Sequence, residues 1–212
     1  MRKFTKKILN PSAARQYLSV AFRLHLHERK GMATAQQRKL DEIRNDLFSD
    51  NDTLVAKAIA RCEEEGSAPM VEPLLAFYAS QAPNALKQRV AELLGSLKVS
   101  NVEGYFLDAL AKREWKHIHK EIVGFMWNTG LQPVEAVIQI TELAASGEYA
   151  LTLECLTLLE SIEDPIAEEQ LLESIAIVHR AMSDGPDSDY KKLLSEYLRV
   201  LNMQRMQNDL IE

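Results

Sequence analysis

Cysteine is scarce in this 212-residue chain, which contains only Cys62 and Cys155. Two cysteines are too few for a disulfide framework or for a cysteine-ligated zinc site. Both lie on apolar faces of predicted helices, so we interpret them as small buried hydrophobic residues. This usage of cysteine is typical of a protein in the reducing cytoplasm.

Glycine, proline and long apolar runs are also rare. The chain has 8 Gly and 7 Pro, whereas Ala, Leu, Glu, Lys and Gln, which favour helices, are abundant. No stretch approaches the roughly 18 consecutive apolar residues of a membrane span. The short apolar run from Tyr17 to Phe22 lacks a small-residue cleavage site, which weighs against a secretory signal. The composition predicts a soluble all-α protein.

Positive charge is missing from a long part of the chain. Between Lys120 and Arg180 there is no Lys or Arg, but there are 11 Asp and Glu residues. We therefore expect this half to present an acidic surface, which repels phosphate and disfavours nucleic acid as a partner. A basic cluster, which also surrounds Trp115, directly precedes the acidic half and consists of Lys112, Arg113, Lys116 and Lys120.

Residues 1–31 have the opposite charge, because they contain 8 basic residues and the single acid Glu28. Their net charge is +7, whereas that of the rest of the chain is −13. A helix capped by Ser12 would be amphipathic, with one apolar face made of Ala14, Tyr17, Leu18, Ala21 and Phe22. Three interpretations remain open. The segment is a docking helix that caps the domain, an Arg-rich targeting peptide, or an upstream extension of a protein that starts at Met32.

A helical hairpin is repeated from Asn51 onwards. The first helices begin near Leu54, Leu86, Ile118 and Leu151, at steps of 32, 32 and 33 residues. Two further apolar columns follow in register, namely Ala58, Val90, Ile122 and Cys155, then Cys62, Leu94, Met126 and Leu159. The second helices begin near Val71, Val102, Val134 and Ala167, and their common column is Leu75, Phe106, Ile138 and Leu171. A single hairpin cannot bury both its faces, so this periodicity predicts a stack.

Several turn signals predict where the helices begin and end. Asp52 and Ser67 stand at expected N-caps, and Gly66 and Gly130 at expected helix ends. The stretch SDGPDS, residues 183–188, separates the repeats from a last helix that carries a stripe from Tyr190 to Leu201. We expect this helix to cap the stack, with residues 32–203 forming the repeat domain and residues 204–212 a fraying tail.

The second repeat resembles a known family. RVAELLGSLK, from Arg89 to Lys98, followed by VEGYFLDAL, from Val102 to Leu110, is similar to HEAT repeats, especially the short ones of about 30 residues. The resemblance covers roughly Leu47 to Met182 and implies an all-α right-handed α-α superhelix of about four hairpins. Tetratricopeptide repeats are the alternative solenoid, but their Trp, Leu-Gly, Tyr pattern is not found.

No motif in the sequence indicates catalysis. His117 and His119, like His25 and His27, are two residues apart and would point about 200° apart on a helix, so we expect surface histidines and no metal site. No phosphate-binding glycine loop or cysteine nucleophile with a base is present. We therefore predict a non-enzymatic protein without a cofactor.

The resemblance implies where a partner would bind, because second helices commonly line the concave face of such solenoids. Candidate contact residues outside the buried stripe are Glu72, Phe77, Leu107, Asp108 and Gln139. We expect a protein-interaction scaffold whose acidic concave surface binds a basic protein segment. The alternatives are a structural assembly subunit or a HEAT-like enzyme, either a glycosylase for alkylated DNA bases or a bilin lyase.

Overall fold

The part of the chain that the structure describes is all-helical. The structure is a computed structural model that describes residues 35–65, 67–99, 101–183 and 189–208. Within these ranges there is no β-strand, and no helix is long and apolar enough to cross a membrane. The predictions for residues 1–31, for Gly66 and for the turn at 184–188 lie outside the described residues.

The described residues form ten α-helices in two compact units, which are divided between Val102 and Glu103. The boundary falls inside the second predicted repeat. The helices of the first unit are α1 (Ala35–Leu47), α2 (Asp52–Glu65), α3 (Val71–Ala79) and α4 (Asn84–Ser96). Those of the second unit are α5 (Glu103–Leu110), α6 (His119–Thr129), α7 (Val137–Ala144), α8 (Tyr149–Glu160), α9 (Glu168–Ser183) and α10 (Asp189–Asn208). Short 3-10 helices at Ala68–Met70, Arg113–Ile118 and Val134–Ala136 lead into α3, α6 and α7.

The helices coincide with the predicted repeats. Helices α2, α4, α6 and α8 are the four predicted first helices, and α3, α5, α7 and α9 are the second ones. Two predicted columns are buried throughout, namely Ala58, Val90, Ile122 and Cys155, then Cys62, Leu94, Met126 and Leu159. The three-and-four spacing of apolar residues therefore identified the buried face of each first helix.

Two predicted core positions are wrong. Leu54 remains 38% exposed, because it lies in the first turn of α2 and the buried stripe begins one residue later at Val55. Ile138 is only half-buried, whereas its helix neighbours Val137 and Ile140 are buried. A 3-10 turn winds about 120° per residue instead of 100°, so Val134–Ala136 changes the phase of the helix that follows.

In the first unit, α1 packs on α2 and α3, and α4 packs on α2 and α3. Helix α3 is buried on almost all sides, with Val71, Leu74, Leu75 and Phe77 in the core. A helix that is apolar all round needs neighbours on every side. This unit therefore has its core around α3.

In the second unit the helices alternate between two rows. Helices α6, α8 and α10 contact one another in succession, and α7 and α9 lie side by side. Sequential partners also pack, as in the pairs α5 with α6, α7 with α8, and α9 with α10. Helices α7 to α10 thus bury their apolar stripes against both rows.

Observed caps differ partly from the predicted ones. Gly130 ends α6 with φ 74°, a left-handed conformation that favours glycine, as predicted. The cap of α2 is Asn51 and not Asp52, because the Asn51 Oδ1 accepts hydrogen bonds from the backbone N–H groups of Thr53 and Leu54, at 2.9 and 3.4 Å. Ser67 precedes a 3-10 helix and makes no side-chain cap bond.

Residues 204–208 are not a tail, contrary to the prediction, because α10 continues to Asn208. The Gln204 Nε2 donates to the Ile162 carbonyl at 3.0 Å, and the Asn208 Nδ2 donates to the Ile166 carbonyl at 2.6 Å. Arg205 pairs with Glu168 at 2.6 Å. Polar side chains therefore attach the last turns of α10 to the α8–α9 connection and to the start of α9. The pattern of apolar residues in the sequence does not indicate such polar contacts.

Leu94→Ala is expected to lower the free energy of unfolding by about 2 to 5 kcal/mol, because it leaves a cavity in the core of the first unit. The matched control is Leu54→Ala in the same unit, for which we expect a loss of less than about 1 kcal/mol. Urea unfolding followed by circular dichroism measures both. Equal losses at the two positions would contradict the observed register.

Asn208→Ala is expected to cost about 1 kcal/mol of stability, because the part-buried Ile166 carbonyl loses its donor. Gln207→Ala is the control, since Gln207 is exposed on the same turn. Thermal melts of both variants test the prediction. If residues 204–208 were a free tail, neither substitution would change the melting temperature.

Candidate functional site

Three of the five predicted contact residues lie together in the second unit. The Gln139 Nε2 on α7 donates a hydrogen bond to the Leu107 carbonyl on α5 at 3.3 Å. Leu107 and Gln139 are half-buried, and Asp108, next to Leu107, is exposed. These residues therefore connect the outer sides of α5 and α7.

Exposed carboxylates lie on the sides of α7 and α9 that are opposite their buried residues. On α7 the buried residues are Val137, Ile140, Thr141 and Ala144, so Glu142 lies on the opposite, exposed side of the helix. On α9 the buried residues Leu171, Ser174 and Val178 likewise leave Glu169 and Glu173 exposed. Together with Asp108 and Glu135, these form what we call the acidic face: Asp108, Glu135, Glu142, Glu169 and Glu173.

Contacts between neighbouring helices hold the acidic face in place. The Gln170 Nε2 on α9 donates to the Glu135 Oε2 at 3.2 Å, beside the start of α7. Helices α7 and α9 also pack directly. Because no Lys or Arg occurs between Lys120 and Arg180, no basic residue of α7 or of the first three turns of α9 offsets these charges. The face can therefore attract a cationic segment.

The other two predicted contact residues belong to the first unit. Glu72 is half-buried in the first turn of α3. Phe77 is only 1% exposed, and its ring meets that of Phe48 edge-on, with 6.4 Å between the ring centroids. The prediction that Phe77 offers an apolar contact is wrong, because the neighbours of α3 cover the side of the helix that we expected to face solvent.

The prediction of surface histidines holds for His117 and fails for His119. His117 is exposed, and its Nδ1 lies 3.1 Å from the Glu114 carbonyl. His119 begins α6 and is buried, and its Nε2 has no hydrogen-bond partner within the described residues. The two residues belong to different elements, because His117 lies in the 3-10 helix Arg113–Ile118 and α6 starts only at His119.

Burial lowers the pKa of His119 below its ordinary value of 6.5. Desolvation is the largest cause, and the positive charges of Lys116 and His117 act in the same direction. A hydrogen bond to the backbone of Lys112 and the carboxylate of Glu148 oppose the shift. His119 is therefore a neutral packing residue near pH 7.

The basic cluster lies on the α5–α6 connection and the first turn of α6. The Lys112 Nζ stands over the half-buried Trp115 ring, 4.5 Å from its centroid, a favourable cation–π contact. Lys120 pairs with Glu121 at 3.4 Å. Arg113 and Lys116 are exposed. The cluster thus forms a small cationic surface in the same unit as the acidic face.

Neither cysteine has the environment of a nucleophile. Both are buried and unpaired, as predicted. Burial raises the pKa of Cys62 to about 12 and raises that of Cys155 further. The thiolate, which is the reactive form, is therefore negligible at neutral pH. Within the described ranges, no three His, Cys, Asp or Glu side chains are grouped so as to hold a metal ion.

An open groove of about 440 Å³ lies in the first unit. Its walls are the ends of α2 and α4 and the residues after α4, including Glu63, Glu92, Ser96 and Lys98. Acids and one lysine share its rim, and its floor contains Leu93 and Leu97. The groove lacks the convergent, buried polar groups that specify a small-molecule site.

Sequence reasoning missed two exposed apolar residues on α8, Tyr149 and Leu153. They are one turn apart and lie outside the buried stripe of Leu151, Cys155 and Leu159. The available signal was that YALTLECLTLLE is apolar on more than one side. Such a helix exposes apolar surface unless something covers it.

Comparisons of the chain with protein-family models, with curated proteins and with solved structures find no match.

The His119→Gln variant tests the buried histidine. Because the pKa of His119 is lowered by folding, the unfolded chain takes up a proton first as the pH falls through 6.5. The wild-type protein should therefore lose stability between about pH 7.5 and about pH 5.5, and His119→Gln should lose less. Denaturant unfolding at both pH values measures this difference.

His179→Gln is the control, because it removes an exposed histidine on α9 that is not among the groups acting on the pKa of His119. This variant should show the wild-type loss of stability on acidification. The same pH dependence in His119→Gln as in the wild type would contradict a buried neutral ring.

Proposed function

We propose that this chain is a HEAT-like right-handed helical solenoid that acts as a non-enzymatic protein-interaction module, and that its acidic face binds a basic segment of a partner protein. The observation that carries the proposal is the acidic face itself. Its five carboxylates, which belong to Asp108, Glu135, Glu142, Glu169 and Glu173, come from three successive second helices or from the turns that lead into them.

The order of helix contacts supports a solenoid. In the second unit the first helices of successive hairpins touch one another, and so do the second helices α7 and α9. In the first unit α2 touches α4 in the same way. Contacts between equivalent helices of neighbouring repeats are typical of α-solenoids. The proposal extends this stacking through the whole repeat region.

Electrostatics supports a basic partner. An exposed ion pair contributes only about 0.2 to 1 kcal/mol, so binding that depends on charge needs several carboxylates within one footprint. The neighbouring second helices provide several such carboxylates, namely Glu142 on α7 and Glu169 and Glu173 on α9. Anionic nucleic acid would be repelled by the same surface, which disfavours a DNA glycosylase.

The remaining features agree with an interaction module in a reducing compartment. Two buried thiols, each without a partner, are compatible with the cytoplasm. The proposed module needs no cofactor. Leu107 and Gln139 would contribute the apolar and hydrogen-bonding part of the footprint, beside Asp108.

Affinity capture tests the proposal with the purified full chain as bait and native lysate as the source of partners. Capture should be efficient at about 0.05 M salt and weak at about 0.3 M. At the higher concentration the Debye length is shorter than about 10 Å, so mobile ions screen the attraction between exposed charges more strongly. The captured protein is then identified and titrated against the bait. Its binding segment should be rich in Lys and Arg.

Charge variants locate the binding surface. The double substitution Glu142→Gln and Glu173→Gln should weaken binding of the identified partner about tenfold, which corresponds to two exposed ion pairs. The control is Glu64→Gln, which removes one exposed carboxylate from α2 in the first unit. Binding that is insensitive to salt and to the double variant rejects the proposed surface.

A further inference from the structure

The basic cluster on the α5–α6 connection contains two exposed cations that are not paired within the described chain. Arg113 and Lys116 are exposed, and neither forms an ion pair with another described residue. Two acids lie in the same region, namely Glu114 within the cluster and Glu148 in front of α8. Since neither acid pairs with Arg113 or Lys116, both positive charges can act on a partner.

The part of the acidic face on α9 has a matching composition. Glu169 and Glu173 are exposed and lie one turn apart. Leu172, which is 46% exposed, lies on the same side of the helix, because it is three residues after Glu169. Two negative charges thus flank an apolar side chain, just as the two cations of the basic cluster flank the half-buried Trp115.

No described base pairs with the two acids. Arg180 is the only Lys or Arg on α9, and it lies about two turns beyond Glu173. Arg205 on α10 reaches α9, but it pairs with Glu168 at 2.6 Å. Glu169 and Glu173 form no ion pair with any residue that the structure describes. Their negative charge is therefore open to a partner.

The two surfaces do not meet within one copy of the chain. The Gln139 side chain on α7 bonds to the Leu107 carbonyl on α5, and α9 packs on α7. Since packed helices lie about 8 to 10 Å apart, α5 and α9 are separated by about 16 to 20 Å. The cluster at the end of α5 is thus too far from α9 for an ion pair, and the complementary charges can pair only between copies.

We propose that two copies of this chain associate head to tail, with the basic cluster of one copy on the α9 part of the acidic face of the other. Arg113 and Lys116 then lie beside Glu169 and Glu173, and Trp115 covers Leu172. The inference rests on the proposed function, because it uses the acidic face and names its basic partner as a second copy. Each pair leaves one cluster and one face unoccupied, so the contact continues into a ring or a longer chain.

The net charge of −6 on each copy opposes this association at long range. At about 0.1 M salt, however, charges more than about 10 Å apart are largely screened, whereas charges in contact still attract. The local complementarity therefore outweighs the net charge at this salt concentration. At about 1 M salt the Debye length falls to about 3 Å, so the attraction between the two surfaces is weakened as well.

Sedimentation velocity of the purified full chain tests this association. At about 0.1 M salt the average mass should rise with protein concentration above that of one chain, and at about 1 M salt it should fall back. A chain that remains monomeric at about 0.1 M salt up to its solubility limit would overturn the inference.

Two double variants locate the contact. We expect Arg113→Gln with Lys116→Gln to raise the dissociation constant about tenfold, and Glu169→Gln with Glu173→Gln to do the same. The second variant changes the net charge of each copy from −6 to −4. This change alone would strengthen association, so weaker association indicates a specific contact.

Mixing the two double variants provides a sharper test. One variant keeps the acidic face and the other keeps the basic cluster, so an equal mixture should form 1:1 pairs with the wild-type affinity and nothing larger. A mixture that associates no better than each variant alone would refute the head-to-tail contact.

Arg38→Gln with Lys57→Gln is the matched control for net charge. Both residues are exposed on helices of the first unit, and the variant loses one Arg and one Lys, as in the basic-cluster variant. Its self-association should equal that of the wild type. A tenfold loss in this control would show that net charge and not the basic cluster governs association, and would overturn the inference.

The apolar part of the contact is tested by Leu172→Ser, which should raise the dissociation constant about fivefold because it removes apolar contact area. Leu54→Ser is the control, since Leu54 is 38% exposed and lies on α2 in the first unit. Circular dichroism checks that both variants fold. Equal effects of the two substitutions would contradict the assignment of Leu172 to the contact.

Failure of this inference is distinguishable from failure of the proposed function. A chain that stays monomeric but captures another basic protein through the acidic face overturns self-association and leaves the proposed function standing. Self-association that is insensitive both to salt and to Glu169→Gln with Glu173→Gln overturns the head-to-tail contact. The proposed function falls only if capture of other proteins is insensitive to the same two changes.

Discussion

The second unit depends on the hydrogen bonds that α10 makes with two connections and with α7. At its start, the Tyr190 hydroxyl lies 3.1 Å from both the Ala144 carbonyl and the Gly147 N–H. In the middle, the buried Tyr197 hydroxyl lies 3.2 Å from the Thr141 hydroxyl. At its end, Gln204 and Asn208 donate to the α8–α9 connection. Helix α10 also packs on α8 and α9, so polar bonds and apolar contacts together hold it against the rest of the second unit.

These bonds also satisfy backbone groups that the turns leave without partners. The Gln132 side chain acts in the same way from the α6–α7 connection, because its Nε2 donates to the Ser161 carbonyl and its Oε1 accepts from the Glu163 N–H, at 3.0 and 2.6 Å. Part-buried backbone groups without such partners are costly. The connections are thereby fixed, and α7, α8 and α9 hold their exposed side chains in defined positions.

Because the helices are fixed, the charged side chains on their surfaces keep a defined arrangement. Segregation of charge along the chain becomes segregation in space, because all the helices between Lys120 and Arg180 belong to one unit. The acidic face occupies the second-helix row, and the exposed Tyr149 and Leu153 lie on α8 in the other row.

The sequence alone determined the helices, their period and the side of each first helix that is buried. Ala58, Val90, Ile122 and Cys155 were predictable as core because three-and-four spacing depends only on the geometry of the single helix. Phe77 and His119 were not, since their burial depends on neighbours that lie beside them only after packing. The same holds for Asn208, whose partner Ile166 is 42 residues away. Local periodicity fixes which side of a helix is apolar, whereas only the tertiary structure decides which of the other sides a neighbour covers.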